Sequence, residues 1–236
     1  MEFVYRDSLI YYIGVGASYA PSNVVSTMYK LGCRFAELGY GLRTLDNSEI
    51  DRAIRKGCQD SCGKVTVYVP WQKNNNDNVL YVKPTQESYS HCDRMNPAFE
   101  KMHMQTKAIK ARIANLLFGN DTEIAAKFIV CWSKDAAENI SSITKETGEI
   151  SDVLEMKPTY SMPVFNLQNS DAMQRLGELI NSNKKSKHAS QIHVEQLINS
   201  IESNPYFENL INEYRVERIY IDRSQNFDFK SIITSK

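Results

Sequence analysis

Residues 8–58 read SLIYYIGVGASYAPSNVVSTMYKLGCRFAELGYGLRTLDNSEIDRAIRKGC, and their punctuation decides the fold. Leu9–Ile13 is a short β-branched and aromatic run, and Gly14-Val15-Gly16-Ala17 reads as a turn. Pro21-Ser22 then opens a helix in which Val24, Val25, Met28, Leu31, Phe35 and Leu38 recur at helical spacing. Gly39 stands where a helix C-terminus favours a residue free to take positive φ, and Tyr40–Leu45 returns as a second strand. The stretch is one βαβ unit. Its turn lies beside a helix N-terminus, so backbone N–H groups and the positive end of the helix dipole favour an anion such as phosphate there.

Outward from this unit, strands and helices alternate. Asn47 or Ser48 caps a short helix over Ser48–Lys56, and Lys64–Val69 alternates as a strand ending at Pro70-Trp71. Gln72–Asn78 is a polar loop, Val79–Val82 a short strand, and Pro84–Asn96 reads as irregular. A long, basic helix is expected over Pro97–Phe118, ended by Gly119. Phe128–Trp132 is apolar enough for a strand buried on both faces of a parallel sheet. A polar connection, a helix over Gly148–Met156, a strand over Met162–Leu167 and a helix over Asp171–Ile180 complete the pattern. The expected fold is α/β: a doubly wound, Rossmann-like, mostly parallel sheet flanked by helices over residues 1–180. Residues 181–191, NSNKKSKHASQ, read as a linker. Residues 192–236 read as a small helical appendage with one strand-like alternation at Arg215–Asp222. So short a segment buries little core alone, so it is expected to pack on the domain, on its own copy, or on a protein partner.

Composition narrows the chemistry. Among 236 residues Lys+Arg and Asp+Glu both number 28, so global charge gives no support for nucleic-acid binding. No signal peptide or apolar run of membrane-spanning length is visible, which points to the cytoplasm. The five cysteines, Cys33, Cys58, Cys62, Cys92 and Cys131, are an odd, scattered set that fits reduced thiols better than a disulfide framework. Cys58, Cys62, His91, Cys92 and His103 offer zinc-type ligands, but not at the usual C-x-x-C spacing, and no metal is expected.

Several segments share an ordered likeness. Gly14-Val15-Gly16-Ala17-Ser18-Tyr19-Ala20-Pro21, Leu38-Gly39-Tyr40-Gly41-Leu42-Arg43, Val67-Tyr68-Val69-Pro70-Trp71, Phe128–Trp132 and Met162-Pro163-Val164-Phe165-Asn166-Leu167 together resemble the phage-encoded DprA/Smf-like proteins of the SLOG (Smf/LOG) Rossmann superfamily. Those open with G-I-G-S-R-x-T-P and continue L-x-x-x-G-Y-x-L-R-S-G-G-A-D-G-A-D. The resemblance implies a nucleotide or nucleotide-derived ligand lined by Gly14, Gly16, Ala17, Ser18, Arg43, Asp51, Trp71, Arg112, Thr147, Gly148 and Glu149. It departs from the family in those same segments. Thr44–Asp51 keeps none of the family glycines and retains Asp51. Ala17 and Ser18 stand in place of serine and arginine, and Lys145–Glu149 replaces a G-G-T-G-Q turn while adding carboxylates. Carboxylates beside a phosphate cost a few kcal/mol at an effective dielectric of about 20. Arg112 remains a guanidinium able to pair with an anion.

The first functional expectation is therefore a non-catalytic interaction protein on a repurposed scaffold, a phage accessory protein in a host cytoplasm. A nucleotide- or nucleic-acid-binding module of DprA type is the alternative. A LOG-like nucleotide N-glycosidase is the third, although the P-G-G-x-G-T motif it needs is absent; Asp51 and Glu149 would be its paired carboxylates if the fold joins them.

Overall fold

A computed structural model describes residues 9–72, 80–158 and 162–182. The expected linker beyond 182 and the appendage 192–236, with any partner contact through it, lie outside the described residues, as do residues 1–8 and most of the polar loop.

Six strands form one all-parallel sheet: β1 (Tyr11–Gly16), β2 (Gly41–Thr44), β3 (Val65–Tyr68), β4 (Leu80–Val82), β5 (Ile129–Trp132) and β6 (Val164–Asn166). Their order is β4-β3-β2-β1-β5-β6. The chain steps outward from β1 to β4, then crosses back to place β5 on the free side of β1. This is the doubly wound α/β architecture expected from the alternation.

Helices α1 (Ser22–Glu37) and α2 (Glu49–Asp60) cover one face. Strand alternation sends Tyr12, Gly14, Gly16 and Leu42 toward them. Tyr12 stacks among Phe35, Tyr40 and Phe128 with ring centroids 4.6 to 6.4 Å away. Burying such rings supplies most of the driving force, roughly 25 cal/mol for each Å² of apolar surface removed from water. The two helices cross in backbone contact, because a Cβ on Gly32 would lie 2.2 Å from the Ile54 carbonyl oxygen and one on Gly57 would lie 2.0 Å from that of Tyr29. The absence of a side chain at these two positions is what lets the helix backbones touch.

The opposite face carries α3 (Gln86–Met95), α4 (Met104–Phe118) and α5 (Ile150–Met156). Residues 84–96, expected to be irregular, contain α3. Its N-cap Thr85 accepts from the Ser88 N–H, and Ser88 and Cys92 are buried while the other positions are too polar to show a period. The single helix expected over Pro97–Phe118 is interrupted: Phe99–Lys101 is a 3-10 turn, and His103 is extended before α4 begins. Phe99 packs with Cys92, Ala111 and Ala114 in a small satellite core edged by Tyr89, Met102 and Met156, and that burial holds the break.

The chain divides into two compact units after Ala172. Residues 172–182 are helical, and of the second unit only this helix falls among the described residues.

Candidate functional site

In an open parallel sheet a ligand crevice lies outside the strand C-termini, where the strand order reverses. Here that point is between β1, ending at Gly16, and β5, ending at Trp132. The loops after β1, β2 and β5 surround it.

Asp51 dominates the β2 side. Ser48 caps α2 in a reciprocal capping box, in which its hydroxyl accepts from the Asp51 N–H and the Asp51 carboxylate accepts from the Ser48 N–H at 3.1 Å. The same carboxylate accepts from the Asn47 N–H at 3.0 Å and reaches across to the Gly16 N–H, also at 3.0 Å. Asp51 is almost fully buried. Burial pushes its pKa up to about 6, although the hydrogen bonds from Asn47, Ser48 and Gly16 oppose the rise. The next donor, the Ala17 N–H, is taken by the Trp132 carbonyl at 2.9 Å. The Gly16 and Ala17 N–H groups at this turn are thus bound to the protein itself.

The two glycines have a packing reason. Both lie within β1, and a Cβ on Gly14 would sit 2.5 Å from Ile54 Cδ1, one on Gly16 2.4 Å from Ile50 Cδ1. They admit α2 onto the strand. Tyr19, in the loop that follows, has φ of 64° and is 96% exposed. Ser18 is exposed beside it.

Three more of the sequence-derived residues close on Asp51. Arg112, on α4, is 7% exposed and donates from Nη1 to Asn47 Oδ1 at 3.2 Å; its Nε is buried without a partner. Burial lowers its pKa, while Glu149, Asp51 and Asp152 pull the other way. Glu149 accepts a short hydrogen bond from Asn47 Nδ2. Gly148, at φ of 61°, brings its backbone over Ala17, since a Cβ there would stand 3.5 Å from the Ala17 Cβ. Asn47 therefore links Asp51, Arg112 and Glu149, a hub the sequence marked merely as a possible helix cap.

Thr147 turns away from this group. Its hydroxyl donates to Asp135, which also accepts from the Ser133 hydroxyl at 2.7 Å, the Ala137 N–H at 3.3 Å and the Thr144 N–H and hydroxyl at 3.2 and 2.7 Å. Partial burial pulls the Asp135 pKa up, but the Ser133, Thr147, Thr144 and Ala137 hydrogen bonds outweigh it and hold the carboxyl well below the usual range. Next to it, buried Asn166 ties the β5 loop to β6: its Nδ2 donates to Ser133 Oγ and the Ala137 carbonyl, and its Oδ1 accepts from the Ser133 N–H. Asp135 carries no sequence signal beyond a Ser-x-Asp turn pattern at 133–135, and Asn166, although it stands in the Met162–Leu167 motif of the resemblance, is not among the residues that the resemblance implies for a ligand.

Two implied residues lie elsewhere. Arg43 points to the opposite face from Leu42, lies 4.2 Å from the Tyr11 ring, and donates from Nη1 to the carbonyls of Leu117 and Ile124 at 3.3 and 2.7 Å. It closes the C-terminal end of α4. Trp71 is 57% exposed beyond β3, on the same sheet edge but two strands from β1.

Among the described residues no group of His, Cys, Asp or Glu side chains is arranged to hold a metal ion, and no helix is long and apolar enough to cross a membrane. Compared with models of known protein families and with characterised proteins, the chain gives no match.

Proposed function

We propose that the chain is a non-catalytic interaction protein built on a repurposed DprA-like Rossmann scaffold, acting as a phage accessory protein in the host cytoplasm. One observation carries the reading: the Asp51 carboxylate occupies the Gly16, Asn47 and Ser48 N–H groups, where a Rossmann crevice would present donors to a phosphate. Glu149, joined to the same hub, adds a second negative charge. The phage setting and cytoplasmic location rest on the ordered sequence likeness alone.

A nucleotide- or nucleic-acid-binding module is the second reading, favoured by the unpartnered, buried Nε of Arg112. The two part in one experiment. The full chain is examined by native mass spectrometry as purified, and by amide NMR with millimolar nucleoside mono-, di- and triphosphates. The interaction reading expects the apo mass and unmoved Gly16, Asn47 and Ser48 amide signals. A retained mass of a few hundred daltons, with those signals shifted, would overturn it in favour of the second.

A further inference from the structure

The sheet edge that carries the strand C-termini has an unusual surface for a Rossmann crevice. Exposed hydrophobic side chains scattered singly over a protein need no explanation. Here Tyr19, Trp71 and Ile140, exposed by 96%, 57% and 57%, stand in the loops after β1, β3 and β5 of one parallel sheet. They share one edge. Among the described residues the charges at that edge lean negative: Glu49 at the start of α2, Glu146 and Glu149 are exposed, and Asp135 is held ionised by its hydrogen bonds. Against them stand exposed Arg52, Lys134 and Lys145, and Lys134 lies 3.3 Å from Glu146, so that pair largely offsets itself. Arg112 is buried and Arg55 is engaged with Asp46 at 3.2 Å, so neither offers its charge outward. The Gly16, Ala17, Asn47 and Ser48 N–H groups are bonded internally and are not offered to an anion, while the edge exposes carboxylates and aromatic faces.

We propose that this edge is a docking surface for a lysine- and arginine-bearing segment of a protein partner, with Tyr19 as its principal anchor. The proposal rests on the interaction reading above and names the kind of partner. Charge complementarity selects the occupant, because guanidinium and ammonium groups pair with the rim carboxylates and sit favourably over exposed aromatic rings. An acidic segment or a phosphate backbone meets repulsion at the same rim.

The test is a display selection of random peptides on the full-length chain, followed by fluorescence anisotropy of an enriched peptide at low and high salt. Enriched peptides are expected to carry Lys or Arg beside aromatic or aliphatic residues, and to bind more weakly as salt rises. Tyr19→Ser should weaken binding about tenfold, the size of effect that marks an anchor residue. The pair Glu49→Lys and Glu146→Lys should weaken it comparably. Ile124→Ser, at an exposed residue just before β5 on the opposite sheet edge, should change nothing. Melting curves confirm that each variant is folded. Enrichment of acidic or uncharged peptides, no enrichment at all, or binding that survives the Tyr19 and glutamate variants overturns this surface, yet leaves the interaction reading standing. Nucleotide bound in the crevice overturns both.

Discussion

Two carboxylates stand on the same edge of the sheet and answer to opposite physics. Asp51 lies deep in the corner between β1 and α2, and although backbone N–H groups from two segments serve it, burial wins and its pKa rises to about 6. Asp135 lies in the loop after β5, is far less buried, and collects hydroxyl and N–H donors until its pKa falls well below the usual range. The contrast shows that counting hydrogen bonds does not set the charge state of a carboxylate; the solvent it has lost weighs at least as much. It also separates two roles. Asp51 locks the crevice from beneath, and Asp135 shapes the loop that borders it.

The largest effect is expected where the lock is removed. Asp51→Ala leaves the Gly16, Asn47 and Ser48 N–H groups without their acceptor and abolishes the capping box. A buried donor without a partner costs about 1–3 kcal/mol, and relief of the buried charge offsets part of the sum, giving a loss of about 4 kcal/mol in urea unfolding at neutral pH. A loss under about 1 kcal/mol would show that the corner stands without Asp51.

The contrast next predicts the sign of a pH dependence. An unfolded aspartate titrates near 3.9. Since Asp51 titrates at about 6 when folded, its contribution to stability is full below about pH 4 and is lost as pH rises through 6. Over that window the term amounts to about 3 kcal/mol. Asp135 runs the other way: its contribution is present above about pH 4 and fades as pH falls below it. Measured against Asp51→Asn, whose side chain does not titrate, the wild-type chain should lose stability between pH 4 and 6. A parallel course for the two proteins would remove the buried-carboxylate account.

A smaller effect belongs to the loop. Asp135→Ala should cost about 1–2 kcal/mol, less than Asp51→Ala, because water can reach the donors it abandons. Hydrogen exchange should speed at the Ala137 and Thr144 amides, which donate to Asp135, and leave the Asn47 and Ser48 amides unchanged. Faster exchange at both sets would mean that the two hubs form one cooperative unit.

How much of this the sequence made legible depends on the range of the interactions involved. The βαβ unit, the helix start at Pro21-Ser22, the Ser48 cap and the buried β5 strand all rest on local pattern, and each stands in the structure. Gly14 and Gly16 were visible as glycines, but not their reason, because Ile50 and Ile54 arrive from α2, more than thirty residues on. Arg43 could not be placed from its position after a strand-like run, since its partners Leu117 and Ile124 come from the far side of the crossover. Helix α3 was hidden because it buries little besides Ser88 and Cys92, leaving no apolar period to read. Arg112, Gly148 and Glu149 are implied by the family resemblance; the structure gathers Arg112 and Glu149 with Asp51 around Asn47, and sets Gly148 over Ala17. What pattern could not show was that the gathered donors already have an internal acceptor.

Arg112 gives the finest way to sharpen the comparison, because it touches one hub and not the other. Its guanidinium is buried, bonded to Asn47, and carries an orphaned Nε, so it bears a desolvation cost that its few contacts recover in part. Replacing a buried charge by an apolar chain of similar length is often close to neutral when its partners keep other bonds. Asn47 keeps its bonds to Asp51 and Glu149, so Arg112→Met should alter stability by less than about 1 kcal/mol at pH 5. Its signature lies in titration instead. Loss of the nearby positive charge should move the Asp51 midpoint upward from about 6, followed by carboxyl-carbon NMR, while the Asp135 midpoint stays where its hydroxyl donors hold it. An unmoved Asp51 midpoint would mean that solvent screens the pair, and that the crevice is wetter than the burial of Arg112 implies.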